Sequence, residues 1–244
     1  MDIIAGGVKT RLPIICTLVR DKDRLILFDT GYWGSRDLIG ALDRLGLCPD
    51  DVTHVFLTHF HGDHAGGSAL FKAAVKIASK KESDFSRVWL RGFADAADRD
   101  RYIKEHFPYL DDLIVRERTR MLSEHLALVP QYWWEGRMDG YVWLEDGPDL
   151  PACVEPLSTP GHTPHHTSYL VRGDRGTILV TGDAMSRRGA GPESMILDEP
   201  HMDLEAYRRS LGVLQSISAF VVPAHDRPFV QGDCPIRMGK RVEF

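Results

Sequence analysis

The stretch "LTHFHGDHAGG", residues 57–67, places His59, His61, Asp63 and His64 within six positions. Imidazole nitrogens and carboxylate oxygens hold zinc at about 2.0–2.2 Å. In an extended loop, residues two apart point to one side, so His59 and His61 share a face. Gly62 is expected to permit a sharp turn that carries Asp63 and His64 round to a second centre. Four donors are too few for two metal sites that keep open positions, so the rest must come from elsewhere in the chain.

Working outward, a pattern recurs. The apolar, β-branched run "VTHVFLT" (52–58) reads as a strand and leads into His59. "LILF" (25–28) leads into Asp29, "TILVT" (177–181) into Asp183, "AFVVP" (219–223) into His225, and the extended "EPLSTPG" into His162. Loops leaving strand ends are where layered α/β folds build sites, because the sheet fixes their origins. His162, Asp183 and His225 are therefore the candidate downstream ligands, with Asp183 placed to bridge. Asp29, an acceptor only, is expected to orient a ligand histidine rather than to bind metal. His54, His106, His125, His165 and His166 read as structural or surface groups. His201, in "EPHMD", is positioned to reach the pocket.

Between the strands, "IICTLV" (14–19) and "LILF" form a predicted hairpin. "SRDLIGALDRLG" (35–46) reads as a helix capped by Ser35, apolar through Leu38, Ile39, Leu42 and Leu45, and ended by Gly46. "DLEAYRRSLGVLQSI" (203–217) reads as a second, capped by Asp203, with Leu204, Tyr207, Leu211 and Leu214 on one face. Strands mixed with helices give an α/β layered fold. Residues 81–146 differ: they hold two charged helical stretches, a Gly-broken aromatic run and four of the five tryptophans, Trp89, Trp133, Trp134 and Trp143. The segment reads as a helical cap inserted into a single domain spanning 1–244. Its aromatics suit either an apolar substrate or a homodimer interface.

The 244 residues, 43% hydrophobic and 27% charged with net charge −5, describe an ordinary globular chain. No basic block favours nucleic acid. No apolar run approaches the roughly 18 residues of a membrane span, and the N-terminus has no signal-peptide pattern. Cys16, Cys48, Cys153 and Cys234 form no C-x-x-C pair, so they read as buried or partly buried free thiols of a cytoplasmic protein.

With "LFDTG", "THFHGDHAGG", "STPGHTPHH", "VTGD" and "VPAHD" in that order, the chain resembles the metallo-β-lactamase superfamily over roughly 12–80 and 150–230. The resemblance implies an αββα four-layer sandwich with the site at one edge of the two sheets. It implies one metal held by His59, His61 and His162, a second by Asp63, His64 and His225, and Asp183 bridging them. Within the superfamily, "RLPIICTLVRDKDRLILFDTGY" and "PGHTPHHTSYLV" are similar to N-acyl-homoserine lactonases. Those enzymes carry a substrate-contacting tyrosine three residues after the bridging aspartate. Ser186 stands there in this chain, leaving Tyr132, Tyr141 or Tyr169 to substitute. Ser186, His201, Trp133 and Trp134 are the substrate-pocket candidates.

The expected activity is that of a dinuclear zinc hydrolase, with iron or manganese as alternative metals, in which a metal-bridging hydroxide opens a lactone or ester bond of a small molecule. Asp63 and Asp183 are the candidate proton carriers. Three other readings stay open: a thioester hydrolase of glyoxalase II type, a persulfide dioxygenase with one iron on His59, His162 and Asp183, and a binding protein without turnover.

Overall fold

A computed structural model describes residues 2–5, 8–11, 13–32, 36–128, 140–189 and 201–236. A two-stranded ribbon, β1 (Asp2–Ala5) and β2 (Val8–Arg11), precedes two five-stranded mixed sheets. The first sheet has the order β3 (Thr17–Asp21), β4 (Arg24–Phe28), β5 (His54–Phe56), β6 (Val75–Ala78) and β7 (Tyr141–Trp143). Its β3–β4 hairpin is antiparallel and the other pairs are parallel. The second runs β8 (Val154–Ser158), β9 (Thr167–Gly173), β10 (Gly176–Gly182), β11 (Ala219–Pro223) and β12 (Phe229–Gln231). Only its β10–β11 pair is parallel.

Three hydrophobic clusters define the layers. Successive side chains of a strand point to opposite faces, so a strand buried on both faces reads as a continuous apolar run. In β4 and β5, Ile26, Phe28 and Phe56 face the second sheet, where they meet Tyr169, Val171, Ile178, Val180, Phe220 and Val222. Leu27 and Val55 face the other way, into a core shared with helices. Leu170, Leu179 and Val221 likewise turn outward onto α6 (Leu204–Gln215) through Tyr207, Leu211 and Leu214. Helix, sheet, sheet and helix follow in that order, which is the αββα sandwich.

Asp203 caps α6 by accepting from the Ala206 N–H, and Tyr207, Leu211 and Leu214 are buried as their spacing predicts. The first helix, α1 (Arg36–Arg44), departs from expectation. Leu42 is buried, but Ile39 and Leu45 are exposed, so the helix touches the sheet along a narrower stripe than its apolar residues suggest. Gly46, at φ +71°, ends it, while Ser35 lies outside the described residues.

The segment read as an insertion is divided. Helices α3 (Lys80–Asp95), α4 (Arg99–His106) and α5 (Asp112–Leu128) pack through Trp89, Phe93, Ile103 and Val115 into the core on the outer face of the first sheet. Residues 141–143 are that sheet's edge strand, with Val142 opposite Ile77. Aromatic and β-branched residues fit a half-buried pleated surface. Of the tryptophans, Trp89 is buried in the core and Trp143 is half-buried on the edge strand, whereas Trp133, Trp134 and Tyr132 lie outside the described residues. None of the four cysteines is in a disulfide among the described residues, and Cys48 is exposed rather than buried because it sits ahead of a surface turn. No helix among the described residues is long and apolar enough to cross a membrane.

Candidate metal centre

Asp29, His59, His162, Asp183 and His225 all follow strand ends, and the sandwich brings those ends to one edge. The chain turns after His61, which sits in the extended region (φ −67°, ψ 154°) and precedes the single helical turn α2 (Gly62–Ala65). Gly62 is an ordinary helical residue without positive φ. Helix geometry, rather than a glycine-specific turn, therefore carries Asp63 and His64 into a second group of donors. Glycine is required at Gly182 instead. It has φ +51° at a bulge in β10, and a Cβ there would stand 2.7 Å from His166 Nε2 and 2.8 Å from Thr58 Oγ1. Asp183 follows it directly.

Seven side chains fall into two groups whose ligand atoms lie within 4.8 Å of one another: His59, His61, His162 and Asp183 in one, Asp63, His64 and His225 in the other. The Asp183 carboxylate faces both. Its Oδ2 lies 3.1 Å from His162 Nε2 and 3.7 Å from His59 Nε2. Its Oδ1 lies 3.3 Å from His225 Nε2 and 3.4 Å from His64 Nε2. Asp63 Oδ2 lies 3.5 Å from His225 Nε2 and 3.7 Å from His64 Nε2.

Hydrogen bonds behind the rings fix their tautomers. Asp29 is an acceptor only, so His64 Nδ1–H donates to its Oδ2 at 2.7 Å. The Thr58 N–H and hydroxyl donate to the same carboxylate at 2.9 Å. With its hydrogen committed there, Thr58 Oγ1 accepts from His59 Nδ1–H at 3.0 Å. His225 Nδ1–H donates to the Pro13 carbonyl at 2.7 Å. Each of these three rings thus turns its Nε2 to the centre, the atom that would bind a metal once any proton on it is displaced. Asp29 itself has φ +57°, a conformation that aspartate tolerates better than most residues. Asp183 is held from behind by His166, whose Nε2 accepts the Asp183 N–H at 3.2 Å. His166 Nδ1–H then passes to Thr159 Oγ1, on to Ser168, and from Ser168 to the Thr181 carbonyl.

Buried polar groups are nearly always hydrogen-bonded. Here His59 Nε2, His64 Nε2, His162 Nδ1 and Asp183 Oδ1 are buried with no hydrogen-bond partner. Three of these four atoms point into the cluster, which is how ligands look before a cation completes them. The donor set, nitrogen and carboxylate oxygen, suits zinc. Burial pushes the pKa of His59 and His162 well below the usual histidine range and that of His61 down to about 4, so these rings are neutral at pH 7. Burial acts the same way on His64, but Asp183, Asp29 and Asp63 together outweigh it and hold its pKa well above that range. Burial disfavours the Asp183 carboxylate, yet His64, His225 and His162 hold it well below the usual carboxylate range. An excess of negative charge around His64 is what a cation in the Asp63 group would relieve.

The other candidates lie around this centre. His201 is fully buried, its ring 5.5 Å from that of His162. Ser186 is also buried, and its carbonyl accepts the His225 N–H at 2.8 Å. Tyr169 does not face the centre: it is buried between the sheets and donates to the Leu57 carbonyl. Tyr141 stacks on Trp143 at the sheet edge. Sequence reasoning missed Glu82 of α3, whose carboxylate accepts the His165 N–H at 3.0 Å beneath the His162 loop. It also missed Tyr109 and Arg118 from the helical segment. Tyr109 binds the His201 backbone, and Arg118 lowers the pKa of His61 and His201 by its charge. Their partners lie more than 50 residues away, so no local pattern marks them.

The family model described as the metallo-beta-lactamase superfamily matches residues 10–225. The chain belongs to the metallo-beta-lactamase superfamily. It is thus an enzyme of a hydrolase superfamily, with a His/Asp cluster able to bind metal. Among superfamily relatives, metallo-beta-lactamase domain-containing protein 1 of Xenopus laevis is 28% identical over 214 residues, covering 87% of this chain and 70% of the relative. The N-acyl homoserine lactonase of Bacillus thuringiensis is 23% identical, covering 91% of this chain and 85% of the relative. A solved structure of AidC, a dizinc quorum-quenching lactonase with a product bound, shares the fold at TM-score 0.62 and 22% identity, over 89% of this chain and 74% of that one. A metallo-β-lactamase-like protein from Thermotoga maritima aligns at TM-score 0.58 and 23% identity, over 93% of both chains.

Proposed function

We propose that this superfamily member is a dinuclear zinc hydrolase that opens a lactone or ester bond of a small molecule. The observation that carries the reading is the two-faced Asp183 carboxylate, with His59 and His162 at one oxygen and His64 and His225 at the other. Seven donors in two groups exceed what a single iron with three ligands needs, which favours hydrolysis over the dioxygenase reading. The Bacillus relative is an N-acyl homoserine lactonase and AidC a lactonase with its product bound, which supports a lactone as the first substrate class to try.

His59, His61 and His162 would hold one zinc, Asp63, His64 and His225 the other, and Asp183 both. Bound there, the ions supply an activated water and a Lewis acid for the carbonyl. The chain's own residues do the rest. Asp183, buried and faced by four histidines, stays ionised and fixes the spacing of the two groups. Asp63 is the more exposed of the two carboxylates, with 15% side-chain exposure against 4% for Asp183. Its second oxygen is therefore the acceptor placed to take a proton from the attacking water and hand it to the leaving oxygen. Asp29, Thr58 and the Pro13 carbonyl keep the rings from rotating. No side-chain nucleophile is required.

A hydrolysis panel on zinc-reconstituted protein tests the reading, comparing acyl-homoserine lactones, aryl esters, S-lactoylglutathione and phosphodiesters. Turnover of lactone or ester is expected. Preference for the thioester or phosphodiester would contradict the substrate class, and iron-dependent oxygen uptake would contradict the reaction.

A further inference from the structure

Among the histidines that aim at the centre, His162 differs from His59, His64 and His225. The Nδ1 atoms of His59, His64 and His225 each have an acceptor behind them, but His162 Nδ1 is buried without one. Its Nε2 is committed inward, 3.1 Å from Asp183 Oδ2 and 3.0 Å from His61 Nδ1. An unpaired buried donor costs about 1–3 kcal/mol, so a partner is expected nearby.

His201 adjoins the His162 ring. It is fully buried, belongs to neither ligand group, and has no hydrogen-bond partner at either ring nitrogen among the described residues. Its ring meets that of His162 edge to face, centroids 5.5 Å apart at 75°. Three buried, unpartnered nitrogens therefore sit on two adjoining rings. A neutral imidazole carries one N–H and one lone pair, so a buried His201 ring can accept a hydrogen bond.

The ring is also held in place. It stacks on Tyr207 of α6 at 3.6 Å and 13°. The Tyr109 hydroxyl accepts the His201 N–H and donates to the His201 carbonyl, both at 2.6 Å. The next residues are tied to the ligand loop: Met202 N–H donates to the His162 carbonyl at 3.3 Å and Asp203 N–H to the Gly161 carbonyl at 3.0 Å.

We propose that His201 is the positioning residue for His162, its imidazole nitrogen accepting the His162 Nδ1–H directly or through one buried water. The chain of contact then runs from the inserted helices, through Tyr109, to His201 and on to His162. This gives those helices a part in the metal centre. Partners of this kind behind a metal-binding histidine are worth about 10–100-fold in metal affinity. The inference rests on the zinc reading of the same site.

The test is zinc affinity measured by chelator competition, with no substrate present. His201→Phe keeps the stack on Tyr207 but has no acceptor, while His201→Asn and His201→Gln offer a carbonyl oxygen. The expected result is that His201→Phe weakens one of two zinc equivalents about 10–100-fold and leaves the other unchanged, and that Asn or Gln recovers part of the loss. Unchanged zinc affinity in His201→Phe would overturn the proposal, and so would a rise in KM alone, which marks a substrate contact instead. Equal loss of both equivalents with no recovery by Asn or Gln also overturns it, since that marks a role in folding only. If His201→Phe does not fold, Tyr109→Phe removes the clamp and should weaken the same single equivalent. Absence of lactone turnover in the wild type would refute the proposed function without touching this result.

Discussion

At the residue scale, the centre depends on side chains that never touch the reaction. Asp29 accepts three hydrogen bonds from buried donors, the Thr58 N–H, the Thr58 hydroxyl and His64 Nδ1–H. Each donor left unpaired costs about 1–3 kcal/mol. Asp29→Ala should therefore lower the stability of the metal-free protein by about 3 kcal/mol or more and weaken zinc in the Asp63 group. Denaturant midpoints measured in chelator give the first figure, and a loss below about 1 kcal/mol would show that water replaces the carboxylate. Glu82 makes a second residue-scale prediction. Burial raises its pKa from 4.5 to about 7, against lowering hydrogen bonds from Thr163, His165 and Ser86. A carboxyl raised on folding contributes stability that is complete below the unfolded value near 4.5 and is lost as pH rises through about 7. Glu82→Gln has no such titration, so the melting temperature of the wild type minus that of the variant should fall between pH 4.5 and 7.5. A flat difference would mean that Glu82 is ionised throughout.

At the element scale, two glycines separate geometry from propensity. Gly182 has φ +51° and close neighbours in His166 and Thr58. Gly182→Ala should cost about 2 kcal/mol or more through strain and crowding and should displace Asp183. Gly212 lies in α6 with nothing within 4 Å of an added Cβ. Gly212→Ala should stabilise the protein by about 0.5–1 kcal/mol. Thermal unfolding of both variants checks the pair, and a benign Gly182→Ala would remove the argument that the bulge requires glycine. The same scale shows what sequence could and could not reveal. The strands buried on both faces were legible, because apolar runs such as "TILVT" and "AFVVP" have few other uses, and the ligand candidates follow them directly. The turn at Gly62 is not legible locally because a glycine between His61 and Asp63 looks like a loop residue, whereas His61 simply precedes one turn of helix. Ile39 and Leu45 fit a helical period but face solvent, since periodicity finds a face without saying how much of it the sheet covers. Glu82, Tyr109 and Arg118 carried no signal, because long-range partners leave no spacing to read.

At the scale of the whole molecule, the fold assembles a charged cluster that a folded chain without metal holds at a cost. Burial takes the pKa of His61 and His201 to about 4 and that of His166 to about 3, from 6.5. Groups depressed on folding contribute stability that is complete above 6.5 and is lost as pH falls towards those values. The metal-free protein should therefore lose urea resistance between pH 7 and pH 4. Zinc should restore resistance at pH 7 by mass action, and less so in acid, where protons compete for the same nitrogens. A metal-free protein equally stable at pH 7 and pH 4 would show that these rings are not buried neutral in solution.

The central claim, two groups of donors joined through Asp183 into one hydrolytic centre, is tested most directly by titrating metal-free protein with zinc while following lactone or ester hydrolysis. Activity should rise to a plateau at two equivalents per chain, and Asp183→Ala should bind less zinc and show no turnover. A plateau at one equivalent, or full zinc binding and activity in Asp183→Ala, would contradict it.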